Sequence, residues 1–243
     1  MKSLILQTLY DKVSFSKDAA NSLYSIADKT NSPELEALLF CDKKRQIIQK
    51  SVFYKDGFYP HAFFDKAKAI FDENNICHAH GFAALYLSYF EKSYNLARTL
   101  NLNNQIFIDT ANAVLLEIKN ILHQKEPYFD YVFFANYVVL NILRLGSLDF
   151  QNGVFDYDYN VIPKGQRAVF MHIPDRSDIS QKSRQNSYKM CKEIFGEGYI
   201  ICDSWLLFSE HKNMLDASSN ILSLMNDFHI FSETKTHNYT ELF

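Results

Sequence analysis

The chain has 243 residues, 47% of them apolar and 15% aromatic, with 21 Phe and 15 Tyr against only 7 Gly and 5 Pro. That composition excludes a disordered or low-complexity chain and allows one large domain or two modest ones, each with a sizeable core. A net charge of −3 with dispersed Lys and Arg leaves no basic stripe, so neither nucleic acid nor an acidic membrane surface is an expected partner.

In chain order, residues 1–10 read as a helix rather than a signal peptide. Gln7 and Asp11 interrupt the apolar run, and no small-residue cleavage site follows. No apolar run reaches the roughly 20 residues of a membrane span. Residues 1 to about 143 then read almost entirely as helices. Ser16 can cap one that carries Leu23 and Ile26. Ser32-Pro33 starts the next, with Pro in the first turn, and Leu35, Leu38, Leu39, Ile47 and Ile48 follow at helical spacing. After Tyr59-Pro60 comes a stripe of Phe63, Phe64, Ala67, Ile70 and Phe71. Residues 80–100 form a longer helix, Asn103 or Asn104 caps another, and Pro127 separates it from the stripe Tyr131, Phe134, Tyr137, Val138 and Leu143.

The period changes after Leu145-Gly146. Residues 148–159 alternate apolar and polar around Asn152-Gly153, the dipeptide best suited to a two-residue hairpin turn, with Asp156 and Asp158 on the wet face. Ile162-Pro-Lys-Gly165 is a second turn, and residues 168–173 are a strand. Asp178 or Ser180 caps a helix to about Phe195, ended by Gly196-Glu-Gly198. Residues 199–207 read as another strand, a short helix lies near 210–215, and residues 221–231 fit either helix or strand. The tail from Thr234 reads as weakly ordered.

Four cysteines, Cys41, Cys77, Cys191 and Cys202, stand far apart with no Cys-x-x-Cys pair, which fits reduced thiols in a cytoplasm. Cys77-His-Ala-His80 with His61 upstream matches no tight zinc spacing, so no metal is expected there. Gly-x-Gly-x-x-Gly, Gly-Lys-Ser/Thr and Gly-x-Ser-x-Gly are all missing.

Chemistry concentrates in three late blocks. Arg167-Ala-Val-Phe-Met-His-Ile-Pro174 is a buried strand that Pro174 stops. The chain then passes Arg176, Ser177, Asp178 and Ser180 into a helix whose free N–H groups can hold phosphate, with Arg176 and Arg184 adding charge. An ordinary strand-to-helix connection would look the same. In the second block Cys202, Asp203 and Ser204 interrupt an apolar run beside Trp205, the only tryptophan. If the two strands are neighbours, His172 can partner Cys202 as a nucleophile pair or Ser204 in a proton relay. A buried Cys filling space, with Ser204 on backbone, is the plain alternative. The third block is Ser218-Ser-Asn-Ile-Leu-Ser-Leu-Met-Asn-Asp-Phe228.

These blocks resemble a bacterial family of acyltransferases that join a helical N-terminal domain to a GNAT-like (N-acetyltransferase-like) C-terminal domain. Ile142-Leu-Arg-Leu-Gly-Ser-Leu-Asp-Phe150 is similar to the family's Phe-Arg-Leu-Gly-Arg-Leu-Gln-Phe junction. His172-Ile-Pro174 resembles its His-Ile-Pro strand end. Cys202-Asp-Ser-Trp-Leu-Leu207 is similar to its Cys-His-Ser-Trp-Leu-Leu, and Ser219-Asn-Ile221 with Phe228 to its Ser-Asn-Ile…Phe element. The resemblance implies an α+β chain: a helical domain over 1–143, then a GNAT-like mixed β-sheet with flanking helices over 144–243. It implies transfer of an acyl group from acyl-CoA, acetyl-CoA or a similar thioester to an amine or hydroxyl acceptor, without a metal. The thioester would lie between two splayed parallel strands, with Ile173, Arg176, Ser177, Asp178 and Ser180 toward the phosphates. His172, Cys202, Asp203 and Ser204 would do the chemistry, and Trp205 and Asn220 would face the acceptor. Two places depart from the pattern: Asp175-Arg-Ser-Asp-Ile-Ser180 replaces the glycine-rich phosphate loop, and Asp203 replaces a His. A GNAT-like binding module without catalysis and a thiol hydrolase using Cys202 and His172 are the competing expectations.

Overall fold

The computed structural model describes residues 4–40, 45–55, 57–156 and 162–231; Cys41, Asp158 and the tail from Thr234 lie outside them. Helices α1 (Leu4–Lys12), α2 (Lys17–Thr30) and α3 (Pro33–Leu39) open the chain. Ser16 accepts from the Ala19 N–H at 3.0 Å and Ser32 from the Leu35 N–H at 3.1 Å, so both expected caps satisfy otherwise orphaned donors.

The stretch read as a continuing helical stripe is instead a hairpin, β1 (Arg45–Ile48) and β2 (Ser51–Tyr54). Ile47, Ile48, Val52 and Phe53 are β-branched or aromatic, and Gln49 takes φ of 54° to make the two-residue turn. The hairpin leans on the C-terminal part of the chain: the Lys50 N–H reaches the carbonyl of Ile194, in the helix that ends at Phe195, at 3.3 Å, and Asn152 Nδ2 donates to Ser51 Oγ at 3.0 Å.

Four helices follow: α4 (His61–Glu73), α5 (His78–Thr99), α6 (Asn104–Ile121) and α7 (Tyr131–Val138). The run from Phe82 to Leu87 on α5 is buried on every side, as a helix apolar all round must be. Its tyrosines bury with partners: Tyr86 Oη donates to the Tyr131 carbonyl at 2.6 Å and Tyr89 Oη to Asn31 Oδ1 at 2.8 Å.

The C-terminal sheet has the order β3 (Ile142–Leu145), β4 (Leu148–Val154), β5 (Arg167–His172) and β6 (Tyr199–Ile201). The first three strands are antiparallel, and β5 and β6 are parallel. Because β3 begins at Ile142, a boundary between residues 143 and 144 runs through a strand. Asn152-Gly153 is not the turn. It lies inside β4, opposite Val169 and Ala168. Gly146-Ser147 turns the hairpin, with Gly146 at φ of 68°. Asn152 is buried between Ser51 and Arg167, and a Cβ on Gly153 would come 2.8 Å from the Phe170 ring. Both residues therefore serve packing, not chain reversal. The second expected turn is present, with Gly165 at φ of 83° donating to the Phe155 carbonyl.

Helix α8 (Gln181–Phe195) connects β5 to β6 and ends at Gly196, φ 83°. The strand read over residues 199–207 stops at Ile201. Ser204 then accepts from the Leu206 N–H at 3.3 Å and caps a 3₁₀ turn, Trp205–Leu207. Two short helices, α9 (His211–Met214) and α10 (Asn220–Met225), follow. No helix among the described residues is long and apolar enough to cross a membrane.

Candidate active site

The pleat sorts the sheet's side chains. Asp149 stands opposite His172 and also opposite Arg144, while Gln151 stands opposite Phe170. Directly opposed residues share a face, so Arg144, Asp149, Gln151, Phe170 and His172 all face one way. Helix α7 covers that face around His172, with the Phe133 ring edge-on at 5.3 Å between centroids. The other face carries Val169 and Met171 against the core that includes Cys191, Ile194 and Phe195 of α8.

β5 and β6 are neighbours. Their ladder has three pairs, Ala168 with Tyr199, Val169 with Ile200 and Phe170 with Ile201, and ends there. Beyond it β5 runs on through Met171 and His172, while the partner chain leaves the sheet at Cys202. The two C-terminal ends thus part and leave main-chain edges without ladder partners. A separate cleft of about 150 Å³ lies at the opposite ends of these strands, by Arg167, Phe195 and Tyr199, away from His172.

His172 Nε2 sits 3.0 Å from Gln151 Oε1. Burial pushes its pKa below the ordinary 6.5, against a smaller opposing pull from Asp149. Asp149 is itself buried and committed elsewhere: Arg144 grips it through Nε and, at 3.0 Å, through a second nitrogen, and Tyr137 Oη donates to it at 2.7 Å. Burial and that carboxylate raise the Tyr137 phenol far above its usual range.

Cys202 and His172 do not form a pair. Cys202 lies just past the end of the β5–β6 ladder, and no hydrogen bond joins it to His172, whose Nε2 meets Gln151. Cys202 packs against the main core, whereas Phe170 and Ile201 join a separate small cluster. Burial, with the Asp203 charge, pushes the Cys202 thiol up to about 12, which leaves almost no thiolate at neutral pH. Asp203 is exposed, and Ser204 is the turn cap described above.

At the start of α8, Ser180 is the N-cap residue but its side chain makes no cap bond. Asp178 Oδ1 accepts from the Ser180 N–H at 2.9 Å, and these bonds lower its pKa and keep it charged. Ser177 Oγ donates to the Pro174 carbonyl at 2.7 Å. Arg176, at φ of 57°, is fully exposed beside Asp175, and Ile173 is partly buried against the core. Arg184 is not available to a phosphate. It is 1% exposed and spends its guanidinium on Asp227 at 2.7 Å, Ser223 at 3.0 Å and the Ile179 carbonyl. Trp205 is 52% exposed, its carbonyl accepting from His211 Nε2 at 3.0 Å, and Asn220 is exposed at the start of α10. His78 of the His/Cys segment pairs with Asp72 at 2.8 Å. Among the described residues no group of three or more His, Cys, Asp or Glu converges as metal ligands would.

Asn136, Tyr137, Arg144, Asp149 and Gln151 form the polar network on the His172 face, and none of them is among the site residues expected from the sequence. Their signal was present: Asp149 and Gln151 alternate with apolar residues at strand period, and Arg144 breaks the apolar run Ile142-Leu-Arg-Leu145.

This arrangement, a crossover helix between two parallel strands that part at their ends, is the frame of a GNAT-like domain. Residues 142–243 match the family model for the GNAT-like C-terminal domain, so the C-terminal part of the chain is GNAT-like and the whole is α+β. No curated protein matches the chain. Among solved structures, an acyltransferase in complex with decanoyl-CoA is similar at TM-score 0.57 and 13% identity, over 98% of this chain and 85% of that one. An acyltransferase in complex with CoA and 10C-teicoplanin is similar at TM-score 0.56 and 11% identity, over 95% and 82%. An acyltransferase mutant in complex with octanoyl-CoA is similar at TM-score 0.55 and 11% identity, over 96% and 83%. The likeness therefore extends through the helical half as well as the sheet.

Proposed function

We propose that the chain is an acyltransferase that moves an acyl group from acyl-CoA to an amine or hydroxyl acceptor, in the cytoplasm. The observation that carries this reading is the parting of β5 and β6 beyond Phe170 and Ile201, with His172 on one strand end and the uncapped start of α8 beyond it. Main-chain edges in the parting hold the pantetheine arm and polarise the thioester carbonyl. The first-turn N–H groups of α8, with Ser177 and Ser180 beside them, hold the phosphates.

His172 takes the proton of the acceptor as the acceptor attacks the thioester carbon. The new bond forms at that carbon, the C–S bond breaks, and the proton passes from the imidazolium to the departing thiolate. The ring returns to its neutral form. Cys202 has no part in this sequence, and Asp203 and Ser204 line the mouth of the parting. That solved structures of similar fold include an acyltransferase in complex with decanoyl-CoA and one in complex with CoA and 10C-teicoplanin supports the donor class.

One observation favours a second reading, a binding module without catalysis. The Asp178 carboxylate stands at the helix start, where a pyrophosphate would meet a like charge. Isothermal titration of the full chain with acetyl-CoA and decanoyl-CoA, followed by measurement of free CoA released with an amine acceptor, separates the two. The account expects saturable binding and release, with His172→Asn keeping the binding and losing roughly 10²–10⁴-fold of the release rate. Binding without release by the wild type would favour the module. No binding by folded protein contradicts both.

A further inference from the structure

His172 is the last member of a chain of side-chain amides, and the far end of that chain is anchored on the main chain. Asn136, 6% exposed on α7, donates from Nδ2 to the Val132 carbonyl at 3.1 Å. A carbonyl only accepts, so Asn136 must present Oδ1 on its other side. That oxygen accepts from Asn141 Nδ2 at 2.9 Å and from Gln151 Nε2 at 3.3 Å. Gln151 must then turn Oε1 toward His172, 3.0 Å from Nε2. An amide oxygen cannot donate, so the ring hydrogen is on Nε2 and the lone pair is on Nδ1.

We propose that Asn136 and Gln151 are positioning residues that hold His172 in its Nε2–H tautomer, so that Nδ1 is the nitrogen that accepts the acceptor's proton. The chemistry of that step rests on the acyl-transfer reading; the tautomer does not.

Reversing any member is costly. A flipped Gln151 sets its oxygen against Asn136 Oδ1. A flipped Asn136 sets its oxygen against the Val132 carbonyl and loses its bonds to both Asn141 and Gln151. Buried like-to-like contacts of this kind carry the full cost of unmade hydrogen bonds. The charged neighbour on this face cannot take over the orienting role. Asp149 lies opposite His172 in register, but Arg144 and Tyr137 hold its carboxylate. His172 is thus oriented by a neutral amide rather than a carboxylate. The amide fixes the tautomer without adding a charge that would hold the ring protonated. The chain begins on α7 and ends on β5, so the helical half sets the state of a ring on the sheet.

The test is long-range ¹H–¹⁵N correlation spectroscopy of the full chain labelled on its 8 histidines, which distinguishes protonated from bare ring nitrogens. His172→Asn removes one set of signals and so identifies it. The expected result is Nε2–H in the wild type. Gln151→Met should give a mixture of tautomers and cost about 10–100-fold in kcat, with the KM for acyl-CoA little changed, and Gln151→Glu should restore Nε2–H. A wild-type ring carrying hydrogen on Nδ1 overturns the proposal, and that measurement does not depend on any variant folding. An unchanged tautomer in a folded Gln151→Met protein overturns it as well. If Nε2–H is found in a chain that binds no acyl-CoA, the acyl-transfer reading falls and the orienting chain stands.

Discussion

At the residue scale, packing decides which side chains can react together. His172 ends β5 and meets Gln151, whereas Cys202, just past β6, packs against the main core, and no hydrogen bond joins the two. The sequence makes both conspicuous but carries no sign of these contacts, because they come from segments distant in the chain. A thiol pushed up to about 12 by burial and Asp203 is a poor nucleophile. Iodoacetamide should therefore label the exposed Cys77 well before Cys202; mass-spectrometric mapping that finds Cys202 first would restore the thiol reading. His172 sets a pH dependence of definite sign. Its folded pKa is depressed by burial below the ordinary 6.5, so the neutral ring persists through neutrality. Free-CoA release should be level above that value and fall on an acid limb that begins below it. Stability follows the same direction: it is full above 6.5 and declines as pH falls toward the depressed folded pKa, because the unfolded chain takes up the proton first. A rate that rises as pH drops through this window contradicts the role given to His172.

At the scale of elements, the crossover was the legible part. Pro174 stops β5, and Gly196 ends α8 where its positive φ is needed. The sequence points to Asn152-Gly153 as the hairpin turn because that dipeptide has the better turn chemistry in isolation, while the buried Ser51 and Arg167 contacts that hold Asn152 come from distant segments. The β1–β2 hairpin is illegible in the sequence for a similar reason: two short strands lean on β4 through Asn152 and Ser51 as well as on each other. Arg184 shows the difference between a charge in a sequence and a charge in a fold. Placed one turn into α8, it suits a phosphate, but the fold buries it as a clasp on α10. Asp227→Ala should leave that guanidinium buried and short of its partner, destabilising the chain by about 2–4 kcal/mol. Urea unfolding reads this directly, and a shift under about 0.5 kcal/mol, the level of an ordinary surface change, would show that the clasp carries little.

At the scale of the whole molecule, the two halves meet on both faces of the sheet. The helical half sends α7 onto the face that bears His172 and the β1–β2 hairpin onto the other side of the sheet. Reading residues 1 to about 143 as almost entirely helical captures the type of this half apart from the β1–β2 hairpin. It could not show Asn136 and Tyr137 among the partners of the sheet's polar residues, because a helical stripe of aromatics carries no mark of its partner. The central claim is that acyl-CoA lies where β5 and β6 part, between His172 and the start of α8. Hydrogen exchange of the full chain, with and without saturating decanoyl-CoA, tests it most directly. Exchange should slow chiefly at residues 171–173, 180–184 and 202–206, with the far ends of β5 and β6 unchanged. Saturable binding with protection elsewhere, or with none in these three segments, would contradict it.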